Sequence, residues 1–218
     1  MSTIAAAQPV RVYVWEIPVR ATHWIIAGSI IVLSITGFYI GRPVITIPGS
    51  ATQSFFMGWV RVIHGYTAFV FISAVLARII WMFTGNKYAN WNQFLTTPRK
   101  RRRAFIPTVL FYSFLKDKPP AAVGHNPLAG FAYVFVFLLY LLAILTGLLL
   151  RGWFAGLTPF LGGIQVARFI HHAVMYLLLG FMLHHVYSSI LMAVVEKNAL
   201  MDSIFTGYKW VDKGDLDE

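Results

Sequence analysis

The 218-residue sequence contains no cysteine. That absence excludes disulfides, thiolate zinc sites, iron–sulfur ligation and covalent c-type haem attachment. Any redox group must be held through other ligands, and cysteine usage says nothing of the compartment. Charge is also scarce. Only 12% of residues are Asp, Glu, Lys or Arg, against 58% hydrophobic, whereas in a soluble domain about a quarter are charged. Carboxylates are the scarcer sign, and Asp117, Glu196 and Asp202 lie at or beyond the ends of the apolar runs. A proton pump built on an acidic relay is therefore not expected. No Gly-rich nucleotide loop follows a strand, and no soluble domain, internal repeat or low-complexity segment is evident.

Long apolar runs are what the chain has. They cover about 22–40, 58–83, 127–151 and 166–195, each long enough to cross about 30 Å of hydrocarbon. None alternates with period two, so a β-barrel is not expected. The expected fold class is all-α, an integral membrane four-helix bundle forming a single membrane domain over residues 1–218. The formal charge of +10 could suggest nucleic acid, but its distribution follows topology. The loop at about 86–124 holds Lys87, Arg99, Lys100, Arg101, Arg102, Arg103, Lys116 and Lys118, while loops 41–57 and 152–165 hold only Arg42. The positive-inside rule then places the basic loop and both termini in the cytoplasm, and Lys197, Lys209 and Lys213 near the C-terminus agree. Membrane lipids are expected partners and nucleic acid is not. Segment 88–120 reads as an interfacial loop with room for a surface helix. The polar, mixed residues before Arg20 lack a charged n-region and cleavage site, so no cleaved signal peptide is expected.

Four of the seven histidines, His23, His64, His171 and His185, lie inside the apolar runs. Intramembrane ionisable side chains are expensive and read first as functional. His171 and His185 are fourteen residues apart; at about 100° per residue they return to within about 40° of one face, about 21 Å apart along the axis. One helix therefore offers two imidazoles at two depths. His64 matches the depth of His171 on the outer side, and His23 matches His185 on the cytoplasmic side. Two bis-imidazole sites follow, with a b-type haem in each, and cofactors are commonly held in bundle cores in this way. His172 and His184 break the stripe: spacings of thirteen and twelve residues rotate the partner by about 220° and about 120°. They are read as packing or interfacial histidines.

Arg20, Arg61 and Arg168 each precede one of these histidines by three residues, which places arginine and histidine on one helix face. Each arginine would sit a turn nearer the membrane surface, where the carboxylates of an edge-on haem emerge and a guanidinium fork can pair with them. Arg78 could give the inner haem a second cation. Snorkelling of interfacial arginines explains the same positions. Gly28, Gly37, Gly65, Gly130, Gly147 and Gly180 recur in the spans, and they suit either a flat macrocycle against the backbone or close helix packing. Trp15, Trp24, Trp59, Trp81 and Trp153 read as interfacial belts.

Several stretches resemble a known family. Val12-Tyr13-Val14-Trp15-Glu16, Pro18-Val19-Arg20 and His23-Trp24 are similar to the opening of the b-type cytochrome subunit of membrane-bound nickel–iron uptake hydrogenases. So are Trp59-Val60-Arg61-Val62-Ile63-His64, Arg78-Ile79-Ile80-Trp81, Gly85-Asn86-Lys87-Tyr88-Ala89, and the tail from Asp202 to Lys209. The resemblance covers nearly the whole chain. It implies a multi-pass di-haem b subunit of the bacterial cytoplasmic membrane, with no catalytic residue of its own. His23, His64, His171 and His185 would be the iron ligands. The implied partners are an iron–sulfur small subunit and a nickel–iron large subunit, and the electron acceptor is a quinone bound as exchangeable substrate. The bis-histidine pattern alone is shared with formate dehydrogenase cytochrome subunits and stand-alone b561-type cytochromes, which remain the alternative. The formate dehydrogenase likeness implies a quinone site near the inner haem, including His125, Asn126 and Tyr88. Asn126 before Pro127 also suits a helix start.

Overall fold

The computed structural model describes residues 9–44, 55–94, 99–117, 127–196, 199–211 and 213. β1 (Val10–Tyr13) leads into α1 (Ile17–Gly41) and α2 (Phe56–Thr84), followed by α3 (Arg99–Tyr112), α4 (Pro127–Leu150), α5 (Ile164–Glu196), α6 (Leu200–Thr206) and β2 (Tyr208–Val211). Short 3-10 turns occupy Trp91–Gln93 and Ala155–Leu161. The chain is mostly helical, and α1, α2, α4 and α5 are long and apolar enough to cross a membrane. The shortest, α4, has 24 residues, about 36 Å at the helical rise. Large apolar side chains stand exposed along these helices, Ile35, Leu138, Phe169 and Leu183 among them. In water such surface would drive association, whereas in lipid it is the solvent contact, and the helical backbone satisfies its own polar groups there.

The chain forms two compact units. One comprises Met1–Arg20, Ile79–Leu138 and Phe181–Glu218, the other Ala21–Arg78 and Leu139–Gly180. α1, α2, α4 and α5 each pass from one unit into the other.

The first unit is organised around a small cap. β1 pairs antiparallel with β2, Val10 opposite Val211 and Tyr13 opposite Tyr208. Val14, Trp15, Val19, Tyr88, Ala89 and Val211 form its apolar core. Gly207 ends α6 with φ 88°, a left-handed conformation that glycine adopts without strain. Its carbonyl accepts from the backbone N–H groups of Val14 (2.8 Å) and Trp15 (3.1 Å). The Trp15 indole donates to buried Ser203 Oγ at 3.1 Å. Asn86 closes an Asx turn by accepting from the backbone N–H of Tyr88 (3.0 Å) and Ala89 (2.9 Å), and its amide donates to the Val14 carbonyl at 3.1 Å. The 2-stranded sheet departs from the all-α expectation. Each strand has 4 residues, too short for a recognisable alternation, and the partner lies almost the whole chain away. Within the basic loop, α3 takes the place of the expected surface helix.

The second unit packs the N-terminal part of α2 and the C-terminal part of α4 through an edge-on Phe71–Tyr140 pair 5.3 Å apart. Phe38 of α1 and Tyr176 of α5 make a similar contact at 5.6 Å. Val75, Thr146 and Leu149 are almost wholly buried.

Candidate functional site

His64 and His171 lie in the second unit, each half-buried. Their surroundings match. His64 Nδ1 is 2.8 Å from Thr36 Oγ1 of α1, and His171 Nδ1 is 2.9 Å from Thr146 Oγ1 of α4. Each hydroxyl donates its one proton back along its own helix, Thr36 to the Val32 carbonyl and Thr146 to the Leu142 carbonyl, both at 2.7 Å. With the hydroxyl proton committed to the helix carbonyl, Nδ1 of each ring is the donor to the threonine oxygen. Nε2 of each ring then keeps its lone pair, and neither meets a hydrogen-bond partner among the described residues. The glycine after each threonine lets the ring lie against the helix: a methyl group at Gly37 would be 3.4 Å from His64 Cε1, and at Gly147 3.2 Å from His171 Cε1.

His64, His171 and both glycines stand out in the sequence, and the threonines do not. The signal available was the Thr-Gly dipeptide, present in two spans. It is unreadable without the helix pairing, because intrahelical back-bonding alone satisfies a threonine in a span.

The other histidines fall in different settings. His185 is in the first unit, its ring stacked on Phe181 with centroids 5.7 Å apart and 15° between planes. Tyr133 meets it edge-on at 6.3 Å. His23 is in the second unit beside Trp24, 5.1 Å away at 89°. His172 Nδ1 donates to the Arg168 carbonyl at 2.9 Å, and its ring covers Gly41, where a Cβ would be 2.8 Å from Nε2. Its Nδ1 is engaged within its own helix. His184 is exposed.

The arginines divide as well. Arg78 is buried at 8% exposure within α2. The Arg20 guanidinium donates to the Phe205 carbonyl, and its buried Nε has no acceptor. Arg61 and Arg168 are exposed, Arg168 donating to Gln165 Oε1 at 2.8 Å. Arg151, not singled out from sequence, lies over Gly65, where a Cβ would be 3.3 Å from its guanidinium. Asn126 and His125 lie outside the described residues. Tyr88 is buried in the cap core.

The donor set fits a haem better than a metal held by side chains alone. No cluster of three or more His, Cys, Asp or Glu placed to bind a metal occurs among the described residues. A b-type haem is held through imidazoles whose second nitrogen is engaged. His64 and His171 would suit that role, and the buried Nε of Arg20 is a donor suited to an anionic substituent.

Apolar helices carrying oriented imidazoles, in a sequence without cysteine, fit a membrane cytochrome of the b type. A family model described as prokaryotic cytochrome b561 matches residues 14–207, and the chain belongs to that family. A probable Ni/Fe-hydrogenase B-type cytochrome subunit of Cupriavidus necator is 35% identical over 212 residues, spanning 90% of this chain and 86% of that protein. The protein of the same description from Azotobacter vinelandii is 32% identical over 213 residues, spanning 91% and 88%. A probable Ni/Fe-hydrogenase 1 B-type cytochrome subunit of Escherichia coli K12 is 31% identical over 213 residues, 90% of each chain.

Proposed function

We propose that the protein is the di-haem b membrane subunit of a hydrogen:quinone oxidoreductase, carrying electrons from a periplasmic nickel–iron hydrogenase to the quinone pool of the bacterial cytoplasmic membrane. The observation that carries this reading is the matched pair His64 and His171, each with Nδ1 engaged and Nε2 uncommitted, in a chain of the cytochrome b561 family. The names of its relatives support a Ni/Fe-hydrogenase partner, which would bring an iron–sulfur small subunit and a nickel–iron large subunit.

Haem b, when bound, supplies a one-electron iron couple. The protein's part is to bind, orient and exclude water. His64 and His171 would hold one haem. His23 and His185 would hold the other, a pairing that rests on their matched depths in the sequence. Arg20 and Arg78 would balance haem carboxylates on the inner side, and Arg61 and Arg168 on the outer side. Asn126 would contribute to the quinone site. Both termini and the basic loop would be cytoplasmic, and the chain one four-helix membrane domain.

The test is a pyridine haemochrome count with oxidised and dithionite-reduced spectra of the chain purified from membranes. Two low-spin haems b per chain are expected. A chain without haem would overturn the reading, and a single haem would remove the second site. Intact activity of the isolated chain with a small reductant would favour a stand-alone b561-type cytochrome instead.

A further inference from the structure

We infer that Thr36 and Thr146 are positioning residues that set the orientation and electron donation of the two imidazoles of one haem; the inference rests on His64 and His171 being its ligands.

The two arrangements share every part. Each imidazole comes from one helix and its hydrogen-bond acceptor from the helix before it: Thr36 of α1 for His64 of α2, Thr146 of α4 for His171 of α5. Each threonine bonds back to the carbonyls four and three residues earlier, Val32 (2.7 Å) and Leu33 (3.2 Å) for Thr36, Leu142 (2.7 Å) and Ala143 (3.2 Å) for Thr146. Each is followed by a glycine against which the ring rests. Thr84-Gly85 and Thr206-Gly207 carry the same back-bond, to the Ile80 and Asp202 carbonyls, but Trp81 and Tyr13 lie against those glycines; what sets Thr36 and Thr146 apart is the imidazole against the hydroxyl.

Three physical consequences follow. The hydroxyl's proton is spent on its own helix, so its oxygen can only accept, and this selects the tautomer with hydrogen on Nδ1. The bond and the glycine shelf together restrict rotation of the ring about its Cβ–Cγ axis, fixing the plane an axial ligand presents to iron. An acceptor on Nδ1–H also makes Nε2 a stronger donor, which favours the oxidised iron. The effect belongs to His64 and His171, the two rings whose Nδ1 atoms lie against these hydroxyls.

The test is potentiometric titration and low-temperature electron paramagnetic resonance of the full chain purified from membranes, comparing wild type with Thr36→Val, Thr36→Ser, Thr146→Val and Thr146→Ser. Valine keeps the shape and removes the acceptor; serine keeps the acceptor. Both valine variants should shift the same one of the two midpoint potentials upward and change the g-values of the same low-spin signal, leaving the other haem as in wild type. Both serine variants should stay near wild type. Unchanged potentials and g-values in both valine variants would overturn the inference. So would equal shifts of both haems, or serine variants that behave like the valine ones. His64→Ala and His171→Ala separate this from failure of the underlying reading: if either retains both haems, the ligand assignment itself is wrong.

Discussion

The Trp81 indole donates to Glu16 Oε2 at 2.8 Å, and the same oxygen accepts the backbone N–H of Asn86 at 2.8 Å. One carboxylate just ahead of α1 thus holds the last turns of α2 and the start of the Asn86 turn. A negative charge there also suits the N-terminus of α1. Glu16→Ala would leave both donors without this acceptor and should cost about 1–3 kcal/mol, with Glu16→Gln milder because its amide oxygen can still accept. Thermal unfolding in detergent, followed by tryptophan fluorescence, measures the difference. Equal melting temperatures for all three proteins would show that the carboxylate does not hold the cap.

The ligand assignment predicts haem losses in pairs. His64→Ala and His171→Ala should each remove the same haem, and His23→Ala and His185→Ala the other, read by haemochrome count and by which potential disappears. Both haems surviving in any one variant would break the corresponding pair. His172→Ala should keep both, since that ring is engaged with the Arg168 carbonyl and packs on Gly41.

The glycine shelves give a graded outcome. The space at Gly147 is tighter, 3.2 Å to His171 Cε1 against 3.4 Å from Gly37 to His64 Cε1. Gly147→Ala should therefore reduce occupancy of the haem held by His171 more than Gly37→Ala does, and valine at either position should lose most of it. Full occupancy in both valine variants would mean the rings do not depend on this approach.

The lack of native cysteine makes any introduced thiol unique. Lys116 and Phe160 are both exposed, one just after α3 and one in the turn between α4 and α5. In spheroplasts, Phe160→Cys should react with a membrane-impermeant maleimide, and Lys116→Cys only after the membrane is opened. The reverse labelling would invert the orientation read from the basic loop.

The four long helices were legible because each is a sustained apolar run with polar punctuation, a signal contained in the local sequence. The His64 and His171 neighbourhood was half legible. Histidine in a span announces itself by its cost, and His171 could be matched with His64 by depth alone. Thr36 and Thr146 were not legible, because a hydroxyl that bonds its own helix looks ordinary until a neighbouring helix is set beside it. The cap was hidden for another reason. Val12 to Glu16, Gly85 to Ala89 and Asp202 to Lys209 carry the family resemblance, yet their roles lie in non-local bonds, such as Asn86 to Val14 and Trp15 to Ser203. The basic loop stood out by its charge and left room for a surface helix, but the bounds of α3 were hidden by the basic run that opens it and by Pro107 inside it.

The pairing of β1 with β2 also bears on the order of biosynthesis. Val10–Tyr13 is made long before Tyr208–Val211, and chains are synthesised at about 5–20 residues per second. The first strand must therefore wait about ten seconds or more, while every hydrophobic helix is threaded into the bilayer, before its partner arrives. A chain stalled before Tyr208 leaves Val10–Tyr13 an unpaired edge and Val14 and Trp15 without the Gly207 carbonyl, a mark of incompleteness that proteolytic quality control could read.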